Sequence, residues 1–370
     1  MNASIKLIAL GLISFCINTT LCQNMANDLL IKKIFGDATT KEIKDRSAEL
    51  QTKICEKCVL NLCNGPSGNG DACRYVYECC YIRDVVSDAS RPQRISSCGQ
   101  RNPNGLVYKN TEVHHEDAEF AEFPWMVLIR HCTNDHIIGG GSLIAPNVVL
   151  TSALSVRDKT AQMLYVRAGE WDLESTLEPY VHQNAFVKEI VCHEEFKGIP
   201  LCNDIALLVL KSSYTLTPNV QPICLPEVNT VLDRDHCISS GWGQFKLGQI
   251  NGYQPILKKV EFPILSHAAC EAQLGGNFFY MYNYFQLHPS FICAGGVPGN
   301  DKFIRESGSP LVCPDRNNPE RYYQVGIAPL PGLNVGTENL LYLDSSVLYS
   351  RDWIIMKLKE RRVDLQYFTA

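Results

Sequence analysis

Beyond its first 22 residues the sequence has no apolar run long enough to cross a bilayer, no basic excess and no Asn-x-Ser/Thr acceptor for glycosylation; Asn18 of "NTT" lies inside the opening segment. Each absence removes a class. A membrane-spanning helix needs about 20 consecutive apolar residues, so no membrane span is expected. A net charge of -5 at pH 7 argues against a protein that grips a phosphate backbone, and no nucleic-acid partner is expected.

The opening "MNASIKLIALGLISFCINTTLC" carries Lys6, an apolar stretch from Leu7 to Cys16 and a polar exit, which is the pattern of a signal peptide over residues 1–22. Export decides how cysteine is read. The chain has 17 cysteines, of which Cys16 and Cys22 leave with the leader. Those that remain are odd in number and predict disulfides with one thiol left over.

Six of them, Cys55, Cys58, Cys63, Cys73, Cys79 and Cys80, fall within "CEKCVLNLCNGPSGNGDACRYVYECC". So short a segment cannot bury enough apolar surface to fold unaided, and cross-links supply the missing constraint. The Cys55 to Cys58 spacing would also suit a zinc knuckle, but export and the adjacent Cys79-Cys80 pair disfavour one. Spacing does not choose among the possible pairings.

The remaining organisation follows from texture. Residues 23–54 read as an N-terminal extension with one or two short amphipathic helical pieces, and residues 81–111 as a polar, turn-rich linker. From residue 112 to 370, short apolar runs such as "FPWMVLIR", "AQMLYVRAGEW" and "DIALLVLK" alternate with turn residues, which predicts an all-β sandwich or barrel. "SSVLYSRDWIIMKLKERR" has helical spacing and a basic end suited to a helix C-terminus.

The segments "EFPWMV", "GGSLIAPNVVLTSA", "NDIALLVL", "QPICLP", "CISSGWG", "ICAGG", "SGSPLVC" and "SRDWI" occur in the order in which trypsin-like secreted serine proteases carry them. Residues 112–370 resemble that family, which implies a chymotrypsin-like fold of two six-stranded β-barrels. Residues 55–80 resemble a clip domain, the disulfide knot that precedes the protease domain in many arthropod extracellular proteases. That resemblance implies the pairs Cys55–Cys79, Cys58–Cys73 and Cys63–Cys80, and the trypsin-like one implies Cys98–Cys224, Cys237–Cys313 and Cys270–Cys293. Cys192 and Cys202 flank "HEEFKGIPL" and are expected to close that loop. Cys132 is then the odd residue, either joined to another chain or free.

Acyl transfer by a serine needs a base to take its proton and a carboxylate to orient that base. Here the resemblance breaks down. In "LTSALSV" Leu154 stands where the family has its histidine, while Asp204 of "NDIALL" and Ser307 of "RESGSPLVC" keep the other two positions. Leucine has neither donor nor acceptor, so Ser307 is expected to be a buried or half-buried polar residue without chemistry. Arg305 replaces a glycine whose N–H serves the oxyanion hole, and Glu306 replaces the aspartate that receives the new N-terminus on activation. Gly139 and Ser155 replace both halves of a family bridge; Phe303 and the stretch "APLPGLNVG" lack a second.

The substrate pocket is altered as well. Asp301 matches the acidic pocket base of a trypsin, but Lys302 can neutralise it, Pro329, Leu330 and Pro331 replace the pocket wall, and Leu340 stands near a usual glycine. Lys109-Asn110-Thr111 puts no basic residue immediately before "EVHH", Glu112 to His115, where the activated N-terminus would begin. His131, Cys132 and His136 lack a fourth ligand, and "HHED" at 114–117 reads as a solvated strand entry; no metal and no cofactor is expected.

The "CGQRNPNG" linker is similar to that of the arthropod clip-domain serine protease homologues. This resemblance implies a secreted, non-catalytic cofactor or regulator of a haemolymph protease cascade, notably prophenoloxidase activation and melanisation. Implied partners are clip-domain proteases, prophenoloxidase, and complement-like or microbial surface proteins. The alternatives are a masquerade-like adhesion or matrix protein and a weak residual serine protease. Regulation is expected through a cut at Arg94-Ile95 in "SRPQRISSC", because Pro92 shields Arg91 and a cut needs an exposed, flexible segment.

Overall fold

A computed structural model describes residues 98–106, 116–175, 178–243, 253–278, 286–295, 305–329 and 341–369. The chain divides into two units, residues 1–83 and 84–370, and every described residue belongs to the second. The leader, the six clustered cysteines, the linker pair Arg94 and Ile95, Glu112 to His115 and Asp301 to Phe303 lie outside the described residues.

Six strands close the first barrel in the order β1-β2-β3-β6-β5-β4, with every pair antiparallel. They are β1 Met126–His131, β2 Ile137–Ala145, β3 Val148–Thr151, β4 Leu164–Ala168, β5 Gln183–Cys192 and β6 Ala206–Leu210. Alternation decides which side chains fill it: in β4 Leu164, Val166 and Ala168 are buried, while Tyr165 and Arg167 between them are not. The strand period of two puts alternate residues on opposite faces, so the same segment builds a core and an outer surface.

The second sheet has seven strands in the order β8-β7-β11-β12-β13-β10-β9. They are β7 Ile238–Gly241, β8 Lys258–Glu261, β9 Ile264–Leu265, β10 Phe291–Gly295, β11 Pro310–Pro314, β12 Tyr322–Ile327 and β13 Leu341–Ser346. This is the expected second barrel with its strands counted as seven, and proline is the reason for the count. β8 and β9 are separated by Phe262 and Pro263 alone, and a proline has no N–H for a ladder. One long strand is thereby split in two, and its halves form the opposite edges of a sheet rolled until those edges meet at Pro263.

Between the two sheets lies the largest apolar cluster, with Phe120, Trp125, Trp171 and Trp242 at its centre. Three α-helices are described: α1 Ala153–Val156, α2 His267–Phe278 and α3 Arg351–Glu360, the last burying Trp353, Ile354 and Leu358. Disulfides join Cys98 to Cys224, Cys237 to Cys313 and Cys270 to Cys293. Cys192 and Cys202 do not pair; both carry free thiols, as does Cys132. The register explains it: Cys192 is held in the β5–β6 ladder opposite Ala206, and the chain turns through positive φ at Leu201 and Asn203, on either side of Cys202.

Candidate functional site

Asp204, Leu154 and Ser307 converge between the two barrels. Asp204 precedes β6 and is fully buried. Its carboxylate accepts from the Ser152 hydroxyl at 2.9 and 2.7 Å and from the Leu154 backbone N–H at 2.7 Å. Burial pushes its carboxyl above the usual range, and those same hydrogen bonds work against the shift. The acid is therefore satisfied by its own neighbourhood, and it orients a backbone amide and a hydroxyl instead of an imidazole.

Ser307 is buried, and its hydroxyl accepts from Ser155 Oγ at 2.7 Å. No base reaches it. Its carbonyl accepts from the Gly140 N–H at 2.8 Å, so the serine loop lies against β2. Gly139 permits this approach: a Cβ there would come within 2.5 Å of the Ser307 carbonyl oxygen and 3.4 Å of Ser155 Oγ. The two positions where the family resemblance placed a disulfide thus border the serine loop, and small residues at both let the loop close in.

Arg305 and Glu306 are turned inward as well. The Arg305 guanidinium is 3% exposed and makes a two-pronged pair with Asp344 of β13 at 2.7 and 2.6 Å. It also lies 4.7 Å from the Tyr342 ring centroid and 5.3 Å from that of Phe262. Glu306 is buried among Gly140 and Gly241, and one carboxylate oxygen accepts from the Trp242 N–H at 3.0 Å. Burial pushes its carboxyl up, with the Trp242 N–H opposing.

Other expected site residues separate from this centre. "HHED" is not a wholly solvated entry, because Asp117 is buried in an ion pair with Lys258. A β-bridge between the same two residues fixes the segment to β8. His131 engages Thr133 at the exposed end of β1 and joins no metal-ligand cluster among the described residues. A cluster that sequence reasoning missed lies elsewhere: Glu170, Glu178 and His182 place donor atoms within 4.8 Å of one another. Burial and the Glu170 carboxylate push Glu178 up to about 8, so the pair holds a proton near neutrality. Arg167 at 3.1 Å supplies positive charge to Glu170, and burial holds His182 below its usual range.

Two barrels with an aspartate and a serine meeting at their junction define a trypsin-like protein, and here the aspartate is bonded by the Leu154 backbone N–H. The chain matches the trypsin family over residues 112–354 and belongs to it. It is similar to "Phenoloxidase-activating factor 2" of Galleria mellonella, 40% identical over 76% of this chain and 95% of that one. It is also similar to "Inactive CLIP domain-containing serine protease A8" of Anopheles gambiae, 34% identical over 74% and 76% of the two chains. A third relative, "Phenoloxidase-activating factor 3" of Holotrichia diomphalia, is 27% identical over 79% and 92%. The relatives are thus clip-domain serine proteases and phenoloxidase-activating factors, with inactive members among them.

Proposed function

We propose that this protein is a secreted, catalytically inactive clip-domain serine protease homologue that serves as a cofactor in the extracellular cascade leading to prophenoloxidase activation and melanisation. One observation carries the inactive reading: the Ser307 hydroxyl is buried against Ser155 while Leu154 offers no base, so no described residue stands ready to take the proton that acyl transfer must remove. The phenoloxidase-activating factors among the relatives support the pathway, and the inactive relatives support a role exerted by binding. Its partners would be clip-domain proteases and prophenoloxidase.

Regulation is by a cut after Arg94, which frees the clip segment from the tethered Cys98. The geometry downstream supports this choice over Arg101. Arg101 donates to Glu122 at 3.1 and 2.5 Å and to Tyr322 Oη at 2.7 Å, and its guanidinium lies over the Phe123 and Tyr322 rings. A protease would have to pull that side chain out of its partners to reach the bond. Depletion of the protein, followed by phenoloxidase measurement after microbial challenge, tests the role: unchanged activity would refute it. Digestion with an activated clip protease tests the switch, and the larger fragment should begin Ile-Ser-Ser-Cys.

A further inference from the structure

The outward face of the first barrel carries a row of side chains that the serine-loop site does not use. The ladder sets Arg130 of β1 opposite Tyr165 of β4, and Tyr165 opposite Phe186 of β5. Lys211 follows in the same row, its N–H donating to the Phe186 carbonyl at 2.8 Å. The Tyr165 and Phe186 ring centroids are 6.4 Å apart, and Phe186 is 57% exposed. Lys211 Nζ lies 5.9 Å from the Phe186 centroid and Arg167 Cζ 6.0 Å from that of Tyr165. A large ring this exposed, with an aromatic neighbour and cations over both, is more than a scattered surface apolar residue.

Charge accounting gives the partner's sign. Arg130 is neutralised by Asp135 and Arg167 by Glu170. Lys211, and Lys188 two residues along β5 from Phe186, are both exposed and make no ion pair among the described residues. The row therefore presents an apolar ring with Lys211 beside it and Lys188 two positions along; the Glu189 carboxylate that Lys188 influences is itself paired with Arg361, which leaves the balance on this edge positive. We propose that this face docks an acidic peptide segment of another protein, its carboxylates meeting Lys188 and Lys211 while an aromatic or aliphatic side chain covers Phe186. Such an arrangement joins a desolvated apolar centre to a charged rim, the division of labour found in protein interfaces. It is independent of the cascade role proposed above.

The test is fluorescence anisotropy on the full-length protein with a labelled (Glu-Glu-Phe)4 peptide, alongside (Gln-Gln-Phe)4 and (Glu-Glu-Ser)4. The acidic, Phe-bearing peptide should bind saturably and about tenfold more tightly than either control, and raised salt should weaken it. Phe186→Ser and Lys211→Glu should each weaken it about tenfold, while thermal unfolding stays unchanged because both side chains are on the surface. Absence of saturable binding, equal binding of all three peptides, or variants that bind like the parent would overturn the proposal. Heparin binding that Phe186→Ser leaves intact, together with failure of (Glu-Glu-Phe)4, would assign the face to a sulfated polysaccharide and equally overturn it.

Discussion

Breaking the Arg305–Asp344 pair from one side should be among the most damaging single changes in the second barrel. Both side chains are almost wholly buried, 2% and 0% exposed, and two short hydrogen bonds join them. Asp344→Leu leaves a guanidinium in an apolar interior with Ser239 Oγ at 3.4 Å as its remaining side-chain hydrogen-bond partner among the described residues. Arg305→Met leaves a carboxylate in the same position. Stranding one buried charge costs about 3–5 kcal/mol, because desolvation is no longer offset. At about 2–4 °C per kcal/mol for a domain of this size, either change should lower Tm by roughly 6–20 °C. The double variant Arg305→Met with Asp344→Leu replaces both charges by apolar groups, and should return to within about 1–2 kcal/mol of the parent. Thermal and urea unfolding followed by near-ultraviolet circular dichroism would measure all three. Single variants that each cost under about 1 kcal/mol, or a double variant as unstable as the two losses summed, would refute the reasoning.

Further outcomes can be checked in the same way. Gly139→Ala should cost about 1–3 kcal/mol in urea unfolding, because its Cβ would meet the Ser307 carbonyl at 2.5 Å. Glu178, near 4.5 when unfolded and about 8 when folded, contributes stability that is full below pH 4.5 and lost as pH rises through 8. Urea midpoints should therefore fall between pH 5 and 8, and Glu178→Gln, which imitates the protonated acid, should flatten that fall. Leu154→His should yield no hydrolysis of a fluorogenic peptide and no labelling by a serine-directed phosphonate, because Ser307 stays bonded to Ser155 and Arg305 stays in the barrel interior.

Much of the fold was legible because short motifs fix chain order and strand period fixes faces. The apolar runs of β1, β3 and β6 read directly as buried strands. The division of β8 from β9 was legible in principle, since Pro263 interrupts an otherwise continuous strand. The partnerships were not. Nothing local says that Arg305 finds Asp344, which lies 39 positions away, or that Ser155 finds Ser307 across 152. The Glu170, Glu178 and His182 cluster escaped for a different reason: its members are spaced along a single loop, and only burial turns ordinary surface residue types into coupled ones. The Cys192 and Cys202 expectation failed on backbone turns that spacing does not encode.

The residues of the serine loop are organised around one mechanical result. Arg305 fastens its segment to β13 in the second barrel, and two residues later Ser307 fastens it to β2 in the first. Gly308, at φ 91°, turns the chain where the Gly140 carbonyl and the Thr151 hydroxyl leave no room for a Cβ. In a hydrolase this stretch must present donors to a substrate from a surface open to it. Here the same stretch is buried and bonded on both sides, and it acts as a strut between the barrels. Glycine at 305 would remove the anchor in the second barrel, and a larger residue at 139 would remove the seat in the first. The Ser307 hydroxyl is held by Ser155 Oγ and its carbonyl by the Gly140 N–H, so the strut fixes this residue at both ends. The binding role proposed above needs a surface fixed in this way, because recognition by contact depends on a shape already in place before the partner arrives.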